Sequence, residues 1–382
     1  MDTLTKPISA PRRRTTAGTV YPILLFVSIA HLLNDMMQSV IPAVYPLLKA
    51  KFGFSFAQIG LITLVFQMTS SILQPFVGRY ADRHPRPYSL AAGMCFTLAG
   101  LFALALAPGF APILLAVALI GWGSSIFQVG GNAGSAFGPL LAALVVIPYG
   151  QASIMWFAPA ALLAIGILLR IGNWYKRQLA AATAAPTAIA APAAELPRRK
   201  IRRALLILTV LVFSKYFYIA CMTNYFTFFL MDKFAFSVQD AQYSLFAFLA
   251  ASAAGTVIGG PLGDRIGRKY VIWGSILGAA PFALMLPYAG SGGAVALAIL
   301  VGLIISSAFS AIVVYATDLM PGRVGMIAGL FFGLMFGLGG LGSAFFGWLA
   351  DRTSIEFIFR VSALLPLLGV ITGFLPDVER KR

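Results

Sequence analysis

The chain has 382 residues, 59% of them hydrophobic and only 10% charged, with a formal net charge of +16, whereas soluble domains carry about 25% charged residues. That composition excludes a soluble globular protein, and two cysteines set inside apolar runs (Cys95 and Cys221) exclude a disulfide framework or a cysteine metal site. The positive charge is gathered in loops, which reads as orientation in a membrane rather than as binding to nucleic acid.

Residues 1–20 are polar, contain Arg12, Arg13 and Arg14, and predict a cytoplasmic tail. The first apolar run is too long, and too polar at its middle, for a cleavable signal peptide. Apolar runs follow at 21–48, 57–77, 88–107, 112–148, 151–171, 204–231, 239–262, 270–289, 293–315, 325–349 and 355–375. Many approach or exceed the roughly 20 residues that cross a bilayer, and none shows the alternation of a membrane β-barrel. All are expected to be helices, which alone satisfy their backbone groups without partner strands in lipid. An Ala/Pro-rich stretch closed by Arg198, Arg199, Lys200, Arg202 and Arg203 divides the runs.

The expected fold is an all-α membrane protein: a bundle of six helices over 21–171, a cytoplasmic linker over 172–203, a second six-helix bundle over 204–375 and a tail over 376–382. Placing the tail, the two repeated loops, the linker and the C-terminus on one side puts 22 of the 28 Lys and Arg residues there. That bias predicts both termini in the cytoplasm of an inner-membrane protein.

The two halves repeat one another. Gly260-Pro-Leu-Gly-Asp264-Arg265-Ile-Gly267-Arg268-Lys269 has a looser copy in Gly78-Arg-Tyr-Ala-Asp82-Arg83, with Asp82 and Asp264 182 positions apart. The same offset relates Lys51-Phe-Gly-Phe-Ser55 to Lys233-Phe-Ala-Phe-Ser237, and Ser124-Ser-Ile-Phe127 to Ser306-Ser-Ala-Phe309. Beyond Phe127 the register changes: Gly134-Ser-Ala-Phe137 matches Gly342-Ser-Ala-Phe345 at an offset of 208. The rise from 182 to 208 means that 26 residues of the second half have no counterpart between Phe127 and Gly134. The uninterrupted apolar run 112–148 therefore reads as helices four and five, truncated at their shared cytoplasmic ends.

On helix one, His31, Asn34, Asp35 and Gln38 fall within about 100° of arc at 3.6 residues per turn. Asp35 is the only acidic residue in the middle of an apolar run. A carboxylate at that depth costs at least about 2.5–3.5 kcal/mol, so it should face a cavity and have a partner. His31, one turn earlier, is the nearest candidate, and the pair is expected to carry protons; a structural polar cluster is the alternative. Lys215 is the only deeply placed cation, with Tyr216, Tyr218, Asn224 and Tyr225 nearby. It needs either an anionic ligand or a partner, Asp35 being one. Gln67 and Gln74 on helix two could line the same cavity or serve packing. Small residues at Gly134 and Gly138 allow a close helix contact, and Pro139 a kink. No nucleotide-binding loop is present, and His31 and His84 are the only histidines, so neither an enzyme, a metal site nor a cofactor is expected.

Two six-helix repeats with a Gly-x-x-x-Asp-Arg-x-Gly-Arg-Lys loop after the second helix of each resemble the major facilitator superfamily. The resemblance implies that Gly78, Asp82, Arg83, Gly260, Asp264, Arg265, Gly267 and Arg268 act as gating loops, and that Gly134, Gly138 and Pro139 form part of an antiporter motif. His31-Leu-Leu-Asn34-Asp35-Met-Met-Gln38-Ser39 and Gln128-Val-Gly-Gly-Asn-Ala-Gly134 are similar to the fosmidomycin resistance protein family within it. That family would carry a His-Pro-Glu sequence and a basic loop after Phe127, the place where the repeat also breaks.

The resemblance implies a monomer, surrounded by membrane lipid, that exports a small drug-like or anionic solute in exchange for protons. Asn34, Gln38, Lys215, Tyr218 and Asn224 become candidate substrate contacts. The alternatives are an importer of sugars or organic anions and, given the missing block, a membrane protein that no longer transports.

Overall fold

A computed structural model describes residues 21–83, 86–125, 133–182, 197–320 and 324–376, with the backbone alone at 72–83, 133, 181–182 and 324–325. Among those residues it consists of helices and the short turns between them. The segments are α1 (Tyr21–Phe52), α2 (Phe56–Arg83), α3 (Ser89–Leu106), α4 (Phe110–Ser125), α5 (Gly134–Tyr149) and α6 (Gln151–Ala180), followed by α7 (Arg198–Phe234), α8 (Val238–Ile266), α9 (Arg268–Tyr288), α10 (Ser291–Asp318), α11 (Val324–Arg352) and α12 (Ile355–Phe374). Among the described residues nine helices are long and apolar enough to cross a membrane, and Phe56–Ser71, α4 and α5 are shorter apolar pieces.

The apolar run 112–148 resolves into two helices, α4 and α5. Phe127 to Asn132, where the repeat loses register, lie outside the described residues. The helices also reach into the segment read as a linker, since α6 continues beyond residue 171 and α7 begins at Arg198.

Breaks in the helices fall where the sequence dictates. Gly53 takes the left-handed conformation (φ +68°) that closes α1. Ser55 then opens α2 with a capping box: its Oγ accepts from the Gln58 N–H (3.1 Å) while Gln58 Oε1 accepts from the Ser55 N–H (3.0 Å). The repeat-related Ser237 caps α8 in the same way, accepting from the Asp240 N–H at 3.1 Å.

Each helix reverses the direction of the one before, so the ends of the bundles can be named by the chain termini. The proximal end carries residue 21 and residue 376, and the distal end carries the turns near residues 54, 108, 236, 290 and 353. One apolar core includes buried residues of both halves, among them Tyr45, Ile59 and Ile62 from the first and Tyr225, Phe226, Phe229 and Phe346 from the second. A separate core, built on Leu208, Ile272, Ile312 and Phe331, belongs to the second half alone. The halves are thus fused through the shared core, most fully toward the distal end.

Candidate functional site

Between the halves lies a cavity of about 190 Å³, lined by residues of α1, α2 and α5 on one side and of α7, α8, α10 and α11 on the other. On α1 the lining residues are Asp35, Gln38, Ser39, Pro42 and Tyr45, a helical stripe of spacing three, four and seven. Asp35 is 7% exposed. His31 sits one turn away with its Nε2 at 3.4 Å from Asp35 Oδ2, close enough for an ion pair when the imidazole is protonated but without hydrogen-bond geometry.

The expected face therefore holds for Asp35 and Gln38, with His31 behind them. Asn34 departs from it: it is buried off the cavity, and its amide atoms have no hydrogen-bond partner among the described residues. Gln38 is fixed from behind, its Oε1 accepting from Ser124 (3.0 Å), whose hydroxyl in turn accepts from Ser70 (3.2 Å).

The small residues of α5 pack directly on this stripe. A Cβ at Gly134 would collide with the Leu32 carbonyl and lie 2.7 Å from Asp35 Cβ, and one at Gly138 would collide with Ser39. The contact recurs in the second half, where Gly342 meets Phe217, the residue 182 positions after Asp35. Pro139 is buried beside Gly138 at the start of a short helical piece. Gly134→Ala is therefore expected to lower stability by about 1–3 kcal/mol through overpacking. Gly166→Ala, at a helical position with open space around it, should raise stability by up to about 1 kcal/mol. Unfolding midpoints of the two variants check this.

Lys215 lines the opposite wall and is 1% exposed. Its Nζ has no hydrogen-bond or carboxylate partner among the described residues, and it lies over the face of Tyr216, 5.6 Å from the ring centroid. The predicted alternative of an Asp35–Lys215 pair is not formed. Asn224 lines the cavity and joins the halves: its Oδ1 accepts from Thr63 of α2 (2.8 Å), and Thr63 hydrogen-bonds to the Tyr45 hydroxyl at 2.5 Å. Tyr218 turns away into the apolar core. Gln67 lines the cavity with its Oε1 unpartnered among the described residues, while the side chain of Gln74 lies outside them.

The loop after α8 is a clasp within the second half. Gly267 adopts φ +101°, a conformation that suits glycine alone and separates α8 from α9. Arg268 then reaches Asp264 (3.7 Å) and also pairs with Asp318 at the end of α10. Lys269 donates to the Leu375 carbonyl at 2.6 Å, tying in α12. Gly260 faces Ser310 with room for a Cβ at 3.7 Å, and Arg265 is exposed. In the first copy, Gly78 lies within α2, and the side chains of Asp82 and Arg83 lie outside the described residues.

Sequence reasoning missed Tyr45, Thr63, Ser252, Thr256 and Ser306, all on the cavity wall. A lone hydroxyl on an apolar helix gives the same signal whether it lines a cavity or bonds its own backbone.

Comparison with known proteins agrees with this architecture. The family model of the Major Facilitator Superfamily matches residues 27–129 and 208–382. The chain is 53% identical over 401 aligned positions to the fosmidomycin resistance protein of Escherichia coli (strain K12), covering 98% of each. It is 39% identical over 411 positions to the uncharacterized MFS-type transporter YfnC of Bacillus subtilis (strain 168), again covering 98% of each. In fold it is similar to the nucleoside transporter NupG, with a TM-score of 0.69 at 14% identity, covering 92% of this chain and 99% of that one. A bacterial homologue of the human lysosomal transporter Spinster gives 0.66 at 16% identity, covering 93% and 94%. The chain is a multi-pass membrane protein and belongs to the major facilitator superfamily.

Proposed function

We propose that the chain is a proton-coupled secondary transporter that exports a small anionic or drug-like solute by alternating access. The observation that carries this is a buried carboxylate, Asp35, and a buried ammonium, Lys215, on facing walls of one cavity between the halves, not paired with each other. Lys215 receives the anion, and Asp35, with His31 beside it, exchanges the proton. A carboxylate that passes between a dry and a wet setting changes its proton affinity, which is what coupling requires. The 53% identity to a fosmidomycin resistance protein supports a phosphonate as the first solute to test.

In this reading twelve helices span the inner membrane, the proximal end and both termini are cytoplasmic, the distal end is outside, and the protein works as a monomer. The halves rock about the cavity to expose it to each side in turn. Vesicles preloaded with fosmidomycin and diluted into solute-free buffer should acidify inside as solute leaves and protons enter.

A second reading, loss of transport, has its own support. The chain contributes 98% of 382 residues, about 374, to an alignment of 401 positions, so about 27 positions hold a residue of the relative and none of this chain. That number is close to the 26 residues by which the repeat offset rises from 182 to 208. Inserting the relative's corresponding block should restore flux if flux is absent.

A further inference from the structure

The distal seam between the halves is held by contacts to backbone groups that the first half's helices leave unused. Three are polar and precise in geometry. Asp351, at the end of α11, accepts from the Phe56 N–H (2.8 Å) and the Ala57 N–H (2.7 Å) of α2. The first turn of a helix has four donors without helical acceptors. In α2 the Ser55 N–H goes to Gln58 Oε1 and the Gln58 N–H to Ser55 Oγ, so the other half supplies what the remaining two need.

Two glutamines on one face of α8 do the reverse for carbonyls. Gln242, fully buried, donates from Nε2 to the Ala43 carbonyl at 2.7 Å. That carbonyl lies where α1 is interrupted at Val44, between Pro42 and Pro46, and its regular ladder is broken. Gln239 donates to the Ala143 carbonyl at 3.2 Å. There α5 widens to a five-residue spacing, with the Ile147 N–H bonded to the Ala142 carbonyl. The next donor in that register would be residue 148, which is Pro148 and has none.

These contacts are related by the repeat. Ala57 and Gln239 are 182 positions apart, and Asp351 and Ala143 are 208 apart, the two offsets of the sequence. A carboxylate reading N–H groups on one side thus faces an amide reading a carbonyl on the other. Gln242 likewise corresponds to Gly60, and Ala43 to Tyr225, whose hydroxyl would lie 2.7 Å from a Cβ at Gly60. Every cross-half hydrogen bond among the described residues lies on the distal wall of the cavity or beyond it, including Thr63–Asn224 and the 3.5 Å contact of Tyr225 with the Phe56 carbonyl.

We propose that Gln242, Gln239 and Asp351 are positioning residues of the transport cycle, a distal latch that holds the cavity shut to the outside and must release for it to open there. The proposal rests on the alternating-access reading. Because the latch reads backbone groups exposed by Pro42, Pro46 and Pro148, its strength depends on those helix breaks as much as on the glutamines.

The test is the distal distance in the full chain, reconstituted in lipid nanodiscs, with spin labels at Gly109→Cys and Gly292→Cys in a Cys95→Ser, Cys221→Ala background. Gln242→Leu keeps the bulk and removes the donor. It should raise the population of long distances about two- to tenfold, the range for one net hydrogen bond. Gln242→Glu should do the same at pH 8 and return toward the parent at pH 5, where a protonated carboxyl again donates. Asp351→Leu should act in the same direction. Because the Gln242→Glu comparison is made within one folded sample, misfolding cannot imitate it. Distance distributions unchanged in Gln242→Leu and Gln242→Glu at both pH values would overturn the latch. Flux without a distance response refutes the latch alone, whereas a distance response without flux supports the latch and refutes the transport reading alone.

Discussion

Asp35→Asn is expected to abolish uphill transport while sparing downhill exchange. With one proton moved per solute, a pH difference of one unit supplies about 1.4 kcal/mol and sustains an about tenfold solute gradient. An amide has no proton to exchange, so the sustained ratio should fall to about one, although solute–solute counterflow through the same cavity continues. The substitution keeps the size of the side chain and its packing against Gly134. Loss of both activities together would place Asp35 in the architecture of α1 rather than in coupling. His31→Gln, which removes the 3.4 Å neighbour, should shift the pH profile of exchange and leave the maximum rate nearer the parent value.

Lys215→Met is expected to weaken anion binding and to stabilise the protein. Hydrogen bonds to charged groups contribute about 1.5–3 kcal/mol, so the solute Kd should rise by about 10- to 150-fold. The sign of the stability change is the sharper part. A buried ammonium with no hydrogen-bond partner among the described residues opposes folding, and replacing it with an apolar chain of similar length removes that penalty. The melting temperature should rise by a few degrees for each kcal/mol recovered. Were Lys215 held by a structural ion pair, the same substitution would leave an uncompensated carboxylate and the melting temperature would fall. Measuring Kd and melting temperature on one preparation separates the two.

Much of this could be read from the chain. Apolar runs of bilayer length gave the helices, and the single mid-run carboxylate and single mid-run ammonium gave the two charges of the cavity. The offset of 208 related Gly134 to Gly342, and both proved to be close-approach positions against residues 35 and 217. What could not be read was helix rotation. Around Lys215 the polar and aromatic residues fall on several faces of α7, and only packing selects 215, 216, 219, 220, 223 and 224 for the cavity and sends Tyr218 to the core.

Backbone chemistry was equally hidden. Pro42, Pro46 and Pro148 announce broken ladders, but the sequence does not say which distant side chain fills them, so Gln239, Gln242 and Asp351 carried no signal. Asn34 shows the same limit from the other direction, since a shared arc on α1 did not bring it to the cavity.

The most direct test of the central claim is the internal pH of vesicles that hold the purified chain and a trapped pH dye, preloaded with fosmidomycin and diluted into solute-free buffer. Exchange of an outgoing anion for incoming protons predicts acidification of the lumen, lost in Asp35→Asn. Alkalinisation would mean that solute and proton leave together, as in an importer run backwards, and an unchanged lumen would mean that this chain does not couple solute to protons at all.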